Sequence, residues 1–170
     1  MSRRTEGFSR LAKAATPTMV ALVGVVLLAL PVRLFGGFIP TPAIPLIVVY
    51  FWGIYGPGYL PAASVFAIGL LQDFLTGGPL GLWPAVYLFT QYVVLSQRSY
   101  FAGREMKVVW AGFGFAAAVA AVIVWLVMSM MSGDALPIAR LAYQSAITIV
   151  AYPLFATIFG RLHRRVLVEA

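Results

Sequence analysis

Six apolar segments follow one another along the chain, each cut off by charges, prolines or glycines, which punctuate helices for separate steric reasons. Span one is expected from Pro17 to Val32, with Pro17 in a first helical turn and Arg33, Gly36 and Gly37 closing it. Span two runs from Pro42 to Tyr55, where Gly56-Pro57-Gly58 reverses the chain, and span three from Tyr59 to Phe74. Gly77, Gly78, Pro79 and Gly81 make the next break before span four, Leu82 to Leu95. A polar stretch from Ser96 to Lys107 precedes span five, Val108 to Met131, which ends at Ser132, Gly133, Asp134 and Pro137. Span six covers Ile138 to Phe159, before a basic tail.

Spans two and three are short, nearer about 15 residues than the roughly 20 that cross a typical hydrocarbon core. No charge falls between Leu34 and Gln72, so this stretch reads either as two tight crossings or as a re-entrant hairpin. Charge placement constrains the parity. With the N-terminus inside and six crossings, the cytoplasmic side receives Arg3, Arg4, Arg10, Lys13, Arg98, Arg104, Lys107, Arg161, Arg164 and Arg165, leaving Arg33 and Arg140 outside. A single crossing between Arg33 and Asp73 would export the loop from Ser96 to Lys107 and spoil that bias.

Composition leads to the same fold class. Of 170 residues, 62% are hydrophobic and 10% charged, against about 25% charged in a soluble domain. So small a chain cannot enclose that much apolar surface, whereas a bilayer solvates it. The expected architecture is an all-α membrane protein: a cytoplasmic basic segment (1–16), one six-transmembrane-helix bundle (17–159) and a basic cytoplasmic tail (160–170). The N-terminal apolar run lacks a convincing small-x-small cleavage site and reads as a retained span. The net charge of +7 reads as anchorage to anionic membrane lipid and as a topology signal rather than as a nucleic-acid surface. Phe8, Leu11, Ala12 and Ala15 share one helical face, as in an interfacial helix or a docking site for a cytoplasmic partner. The loop with Arg98, Tyr100, Phe101, Arg104 and Lys107 invites the same two readings.

Candidate chemistry is sparse. Absence of cysteine removes thiolate metal sites and cysteine nucleophiles, and His163 among Arg161, Arg164 and Arg165 reads as a solvated, lipid-facing residue. Asp73 stands at the C-terminus of span three, where the helix dipole disfavours an anion, so something must compensate it. Two sources offer themselves: backbone N–H groups of Thr76-Gly77-Gly78, and Arg33 or Arg140 on the same side. Paired carboxylates for acid–base work are not in view, because Glu6, Glu105, Asp134 and Glu169 lie in tails or loops. Catalytic, cofactor and metal residues are therefore not assigned. Gln72, Tyr87, Gln91, Tyr92, Tyr143, Gln144, Ser145 and Thr148 are the polar residues within spans. Gly112, Ala116 and Ala120 form a small-residue stripe suited to close helix approach, and Met128, Met130 and Met131 crowd the end of the same span.

The stretch Gly69-Leu70-Leu71-Gln72-Asp73-Phe74-Leu75-Thr76-Gly77-Gly78-Pro79-Leu80-Gly81 resembles the signature of the bacterial rod shape-determining protein MreD family: a helix ending in Gly-Leu-x-x-Asp, then a Gly-rich turn closing on Leu-Gly. Upstream, Pro45, Tyr50 and Trp52 are similar to the family's Pro…Tyr-Trp helix, with Phe51 intervening. Length, hydropathy and basic ends match as well. The resemblance implies a non-enzymatic component of the cell-wall elongation machinery, without a cofactor, in the bacterial inner membrane with both termini cytoplasmic. Its implied partners are an MreC-like bitopic protein, a RodA-like glycosyltransferase with its class B penicillin-binding transpeptidase and, through the complex, an MreB-like filament. It also implies a fold similar to the substrate-binding subunits of energy-coupling-factor transporters. Asp73, Gly69, Gly77, Gly78 and Gly81 would then fix an outer turn where a partner docks, with Arg33 or Arg140 as ion-pair candidates. The competing reading is a vitamin-like small-molecule binding subunit of a transporter, whose pocket would require several convergent polar groups.

Overall fold

The structure, a computed structural model, describes residues 17–27, 41–134 and 137–163. The N-terminal segment 1–16, Arg33 with the end of span one, and Arg164, Arg165 and the rest of the tail lie outside the described residues. The described chain forms α1 (Pro17–Leu27), α2 (Ile44–Tyr55), α3 (Ala62–Thr76), α4 (Leu82–Ser96), α5 (Arg98–Phe101), α6 (Met106–Ser132) and α7 (Ile138–His163). A single 3₁₀ turn, Pro57–Tyr59, joins α2 to α3, and no strand occurs among the described residues. Local chemistry sets the boundaries. Pro45 occupies the first turn of α2, where a missing N–H costs nothing, and left-handed glycines, Gly77 (φ 67°) and Gly133 (φ 73°), end α3 and α6.

The helices alternate in direction. Gly24 of α1 faces Ile44 and Pro45 at the start of α2, and Gly69 of α3 faces Pro84 at the start of α4. At one end the Tyr59 ring lies 6.3 Å from that of His163, which brings the α2–α3 turn beside the end of α7. Arg98, Arg104, Lys107 and Arg161 gather at this end, whereas Arg140 lies at the opposite one, beside the α3–α4 turn. These are termed the Arg98 end and the Asp73 end.

Helix α2 is the axis of the bundle. Every residue from Ile44 to Ile54 is buried, enclosed by α4, α6 and α7 and, at its start, by α1. Twelve residues make a helix of about 18 Å, well short of a hydrocarbon core of about 30 Å. Both of its ends, at Ala43 and Ile54, are buried within the protein, and their polar groups need internal partners. They have them. The Ala43 N–H donates to Thr148 Oγ1 (3.0 Å), the Ile44 N–H to the Pro42 carbonyl, and Pro45 has no N–H to place. At the other end Arg98 Nε donates to the Ile54 carbonyl (2.9 Å), a cation at a helix C-terminus as the dipole prefers, while Gln91 Nε2 serves the Leu60 carbonyl (2.7 Å). Midway along α2, Tyr50 donates to the Val109 carbonyl (3.0 Å) and meets the Phe113 and Tyr152 rings edge-on at 5.2 and 5.7 Å.

Helices α6 and α7, with 27 and 26 residues, are long and apolar enough to cross a membrane. Their outward side chains are apolar too: Phe115, Val122, Leu126 and Met130 on α6 and Val150, Leu154 and Ile158 on α7 are exposed. Pro153 lies inside α7. Lacking an N–H, it deprives the Ile149 carbonyl, four residues back, of its helical donor. The indole N–H of Trp110 on α6 donates to that carbonyl at 2.7 Å, so a break in one helix is closed by its neighbour. Trp110→Phe should lower the thermal stability of the detergent-solubilised protein by about 1–3 kcal/mol, the cost of a stranded carbonyl. In a Pro153→Ala background, where the helix regains its own donor, that cost should shrink; an equal loss in both backgrounds would show that Trp110 does not serve Ile149.

Candidate functional site

The buried residues of α3 are Val65, Ile68, Gly69, Gln72 and Asp73. Their spacing of three and four marks a single helical face, and that face packs on α4. Two residues on it are unusual. Gly69 sits where α4 crosses: a Cβ there would lie 2.6 Å from Pro84 Cα and 2.8 Å from the Trp83 carbonyl carbon. Since those are backbone atoms, no side-chain rotation relieves the clash, and only glycine permits this approach. One turn further on, Asp73 is 1% exposed.

The Asp73 carboxylate reaches over the turn to the start of α4. Oδ2 accepts from the Gly81 N–H at 2.6 Å and Oδ1 from the Trp83 N–H at 3.2 Å. The Leu82 N–H between them donates to the Pro79 carbonyl, Pro84 has no N–H, and the Ala85 N–H makes the first helical bond, to Gly81. All the donors at the head of α4 are thereby accounted for, two of them by one carboxylate. An anion unfavourably placed at the end of α3 is favourably placed at the beginning of α4. Gly77 ends α3 by donating to the Asp73 carbonyl (3.0 Å), and Gly81 (φ 96°) takes a left-handed conformation that lets its N–H point back to Asp73. Gly78 has φ below zero and space around its Cα, so nothing there demands glycine. Beside Asp73, the buried Gln72 accepts from the Tyr87 hydroxyl through Oε1.

The expected donors for Asp73 were the N–H groups of Thr76, Gly77 and Gly78, or an ion pair with Arg33 or Arg140. The donors are instead eight and ten residues away, because the hairpin folds the head of α4 onto the buried face of α3. Asp73 makes no ion pair among the described residues, and Arg33 is outside them. Arg140, in the first turn of α7, lies across a cleft of about 470 Å³ that separates the α3–α4 hairpin from the α6–α7 pair. Gln72, Thr76 and Gln144 also line it, with apolar walls from Leu82, Val124 and Leu141.

The remaining candidates lie apart from this hairpin. Pro45, Tyr50 and Trp52 belong to the enclosed α2, and Trp52, fully buried against Phe159, has no hydrogen-bond partner for its indole N–H among the described residues. In the small-residue stripe, the place of a Gly112 Cβ is taken by the Tyr50 hydroxyl and the Phe101 ring, so the close approach it permits is within the chain. Of the polar residues read as lying within spans, Gln72, Tyr87, Gln91 and Thr148 cross-link elements as above, and Gln144 reaches the Thr41 carbonyl at 3.3 Å, whereas Tyr92 and Tyr143 are exposed. The roles of Arg98 and Trp110 had no local signal, except that Pro153 announces a stranded carbonyl. Among the described residues no three His, Asp or Glu side chains converge. No protein-family model, curated protein or solved structure matches the chain.

Two substitutions probe this hairpin. Asp73→Asn should cost about 2 kcal/mol, since an amide retains one acceptor and turns a donor toward an N–H. Gly69→Ala should cost about 1–3 kcal/mol by overpacking. Thermal unfolding in detergent reads both, and wild-type midpoints would refute the capped, close-packed hairpin.

Proposed function

We propose that this chain is a multi-pass protein of the bacterial inner membrane, with six spans and both termini in the cytoplasm, and that it acts as a non-enzymatic scaffold or regulator of the cell-wall elongation complex. In this reading it binds an MreC-like bitopic protein and links it to a RodA-like glycosyltransferase, its class B penicillin-binding transpeptidase and, indirectly, an MreB-like filament. Membrane residence is supported by α6 and α7, by the apolar outward surface and by the charge asymmetry. Arg98, Arg104, Lys107 and Arg161 at one end against Arg140 at the other fit a cytoplasmic Arg98 end. The enclosed α2 and the short α3 and α4 then lie within a bundle whose interior supplies what lipid cannot.

The observation that carries the scaffold reading is the engagement of Asp73. A carboxylate that accepts from two backbone N–H groups and is sealed from solvent is committed to holding a turn. The stretch that resembles the MreD family thus serves shape: Gly69 and Asp73 fix the hairpin, and the hairpin presents Phe74, Leu75 and Leu80, all exposed, at the Asp73 end. There a bitopic partner's helix or its extracytoplasmic base has an apolar surface to meet.

The cleft beside Arg140 favours the second reading, a vitamin-like binding subunit of a transporter, because its volume suits a small molecule. Against it, Thr76 and Gln144 already donate within the protein, which leaves few donors for a polar solute. Affinity purification from native membranes should recover a bitopic coiled-coil protein with the wild type and several-fold less with Asp73→Asn. Wild-type recovery by that variant would count against the hairpin's role, and an ATPase-linked transmembrane subunit in place of the coiled-coil protein would support the transporter. A reporter fused after Arg104 should read cytoplasmic; an extracytoplasmic signal there would overturn the topology.

A further inference from the structure

The cleft at the Asp73 end holds a charge without a partner among the described residues. Arg140 lines it and makes no ion pair or hydrogen bond among the described residues. Asp73 is sealed behind Gly81 and Trp83, and Asp134 is exposed beyond the end of α6. Arg140 is exposed beside apolar walls, where it offers an anion a counter-charge, and its planar fork suits a phosphate.

Hydrogen-bond bookkeeping for the other polar lining residues sharpens the demand. Gln72 is buried and its Oε1 is occupied by the Tyr87 hydroxyl, which leaves its amide nitrogen as the group it offers. Gln144 has the opposite arrangement: Nε2 donates to Thr41, and the carbonyl oxygen remains. The Thr76 hydroxyl gives its proton to the Gln72 backbone carbonyl at 2.7 Å and keeps only acceptor capacity. Arg140, the Gln72 amide and the second N–H of Gln144 therefore share the cleft with two acceptor oxygens, those of Gln144 and Thr76, above walls of Leu82, Val124, Met128 and Leu141.

We propose that this cleft binds an anionic lipid of the leaflet at the Asp73 end, one with a phosphate and a hydroxyl-bearing headgroup, as in phosphatidylglycerol. Its phosphate sits on Arg140 and the Gln72 amide, its headgroup hydroxyls donate to Gln144 and Thr76, and an acyl chain lies along Val124, Met128 and Leu141. A choline head fits poorly, because it brings a second cation toward Arg140 and no hydroxyl donor. Free inorganic phosphate leaves the apolar walls unused. The site is separate from the basic Arg98 end, and it rests on membrane residence but on no particular protein partner.

The test uses the full chain in phosphatidylcholine vesicles containing a minor fraction of phosphatidylglycerol with a photoreactive diazirine in its acyl chain, followed by peptide mapping. Label should fall on Val124, Met128 and Leu141. It should weaken about tenfold in Arg140→Gln, the loss expected for one charge-assisted hydrogen bond, and be unchanged in Arg161→Gln at the far end. Leu141→Trp, which fills the wall and keeps the charge, should also lose label. Diacylglycerol with the same photoreactive chain should label these residues weakly. Equal labelling in Arg140→Gln, equal labelling by diacylglycerol, or displacement by inorganic phosphate alone would each overturn the proposal. Protein that resists an alkaline wash yet carries no label in the cleft refutes the lipid site, whereas protein released by the wash refutes membrane residence instead.

Discussion

A helix that starts or stops among apolar side chains leaves N–H or C=O groups that water cannot reach, and each must find a partner inside the protein or cost about 1–3 kcal/mol. Among the described residues another helix answers four such places. Asp73 of α3 serves the head of α4, Thr148 of α7 the head of α2, Arg98 of α5 the end of α2, and Trp110 of α6 the carbonyl that Pro153 strands in α7. Because each bond joins separate elements, moving any of α2 to α7 by one turn would break one of them. The bonds thus fix register, which apolar contact alone does weakly.

Close approach makes this possible. Hydrogen bonds between helix ends need short reaches, and the glycines supply them: Gly69 lets the backbone of α4 lie against α3, and Gly112 admits the Tyr50 hydroxyl and Phe101 to α6. Short helices are a consequence as much as a cause. With about 18 Å of length, α2 can be enclosed completely, and its buried termini meet side chains of other helices.

How much of this was legible follows from where each signal resides. The breaks were readable because Pro and Gly act locally: the Gly56-Pro57-Gly58 turn, the Gly77–Gly81 turn and the Gly133 stop all fall where steric reasoning puts them. The liability of Asp73 was readable too, from its place at the end of a helix. Its remedy was not, since the Gly81 and Trp83 donors come within reach only after α4 folds back on α3. Nor could an apolar run declare itself enclosed, because a helix hydrophobic all round reads alike in a core and in lipid. Arg98 looked like one more basic loop residue, and nothing near it in sequence points to Ile54. Trp110 is intermediate: Pro153 tells that a carbonyl is freed, but only the pairing of α6 with α7 tells which side chain takes it.

The same accounting separates the parts of the molecule that hold it together from those left to act. Among the described residues the buried Asp73 carboxylate and most buried amides and hydroxyls are engaged with backbone or, for Gln72 and Tyr87, with each other, while the Trp52 indole and the Tyr152 hydroxyl are sealed among aromatic rings. Polar capacity that remains unengaged among the described residues includes Lys107 and Arg161 at the Arg98 end, and Arg140 with its cleft at the other. The locked α3–α4 hairpin holds one wall of the cleft, so Asp73 shapes the cleft through the backbone groups it caps.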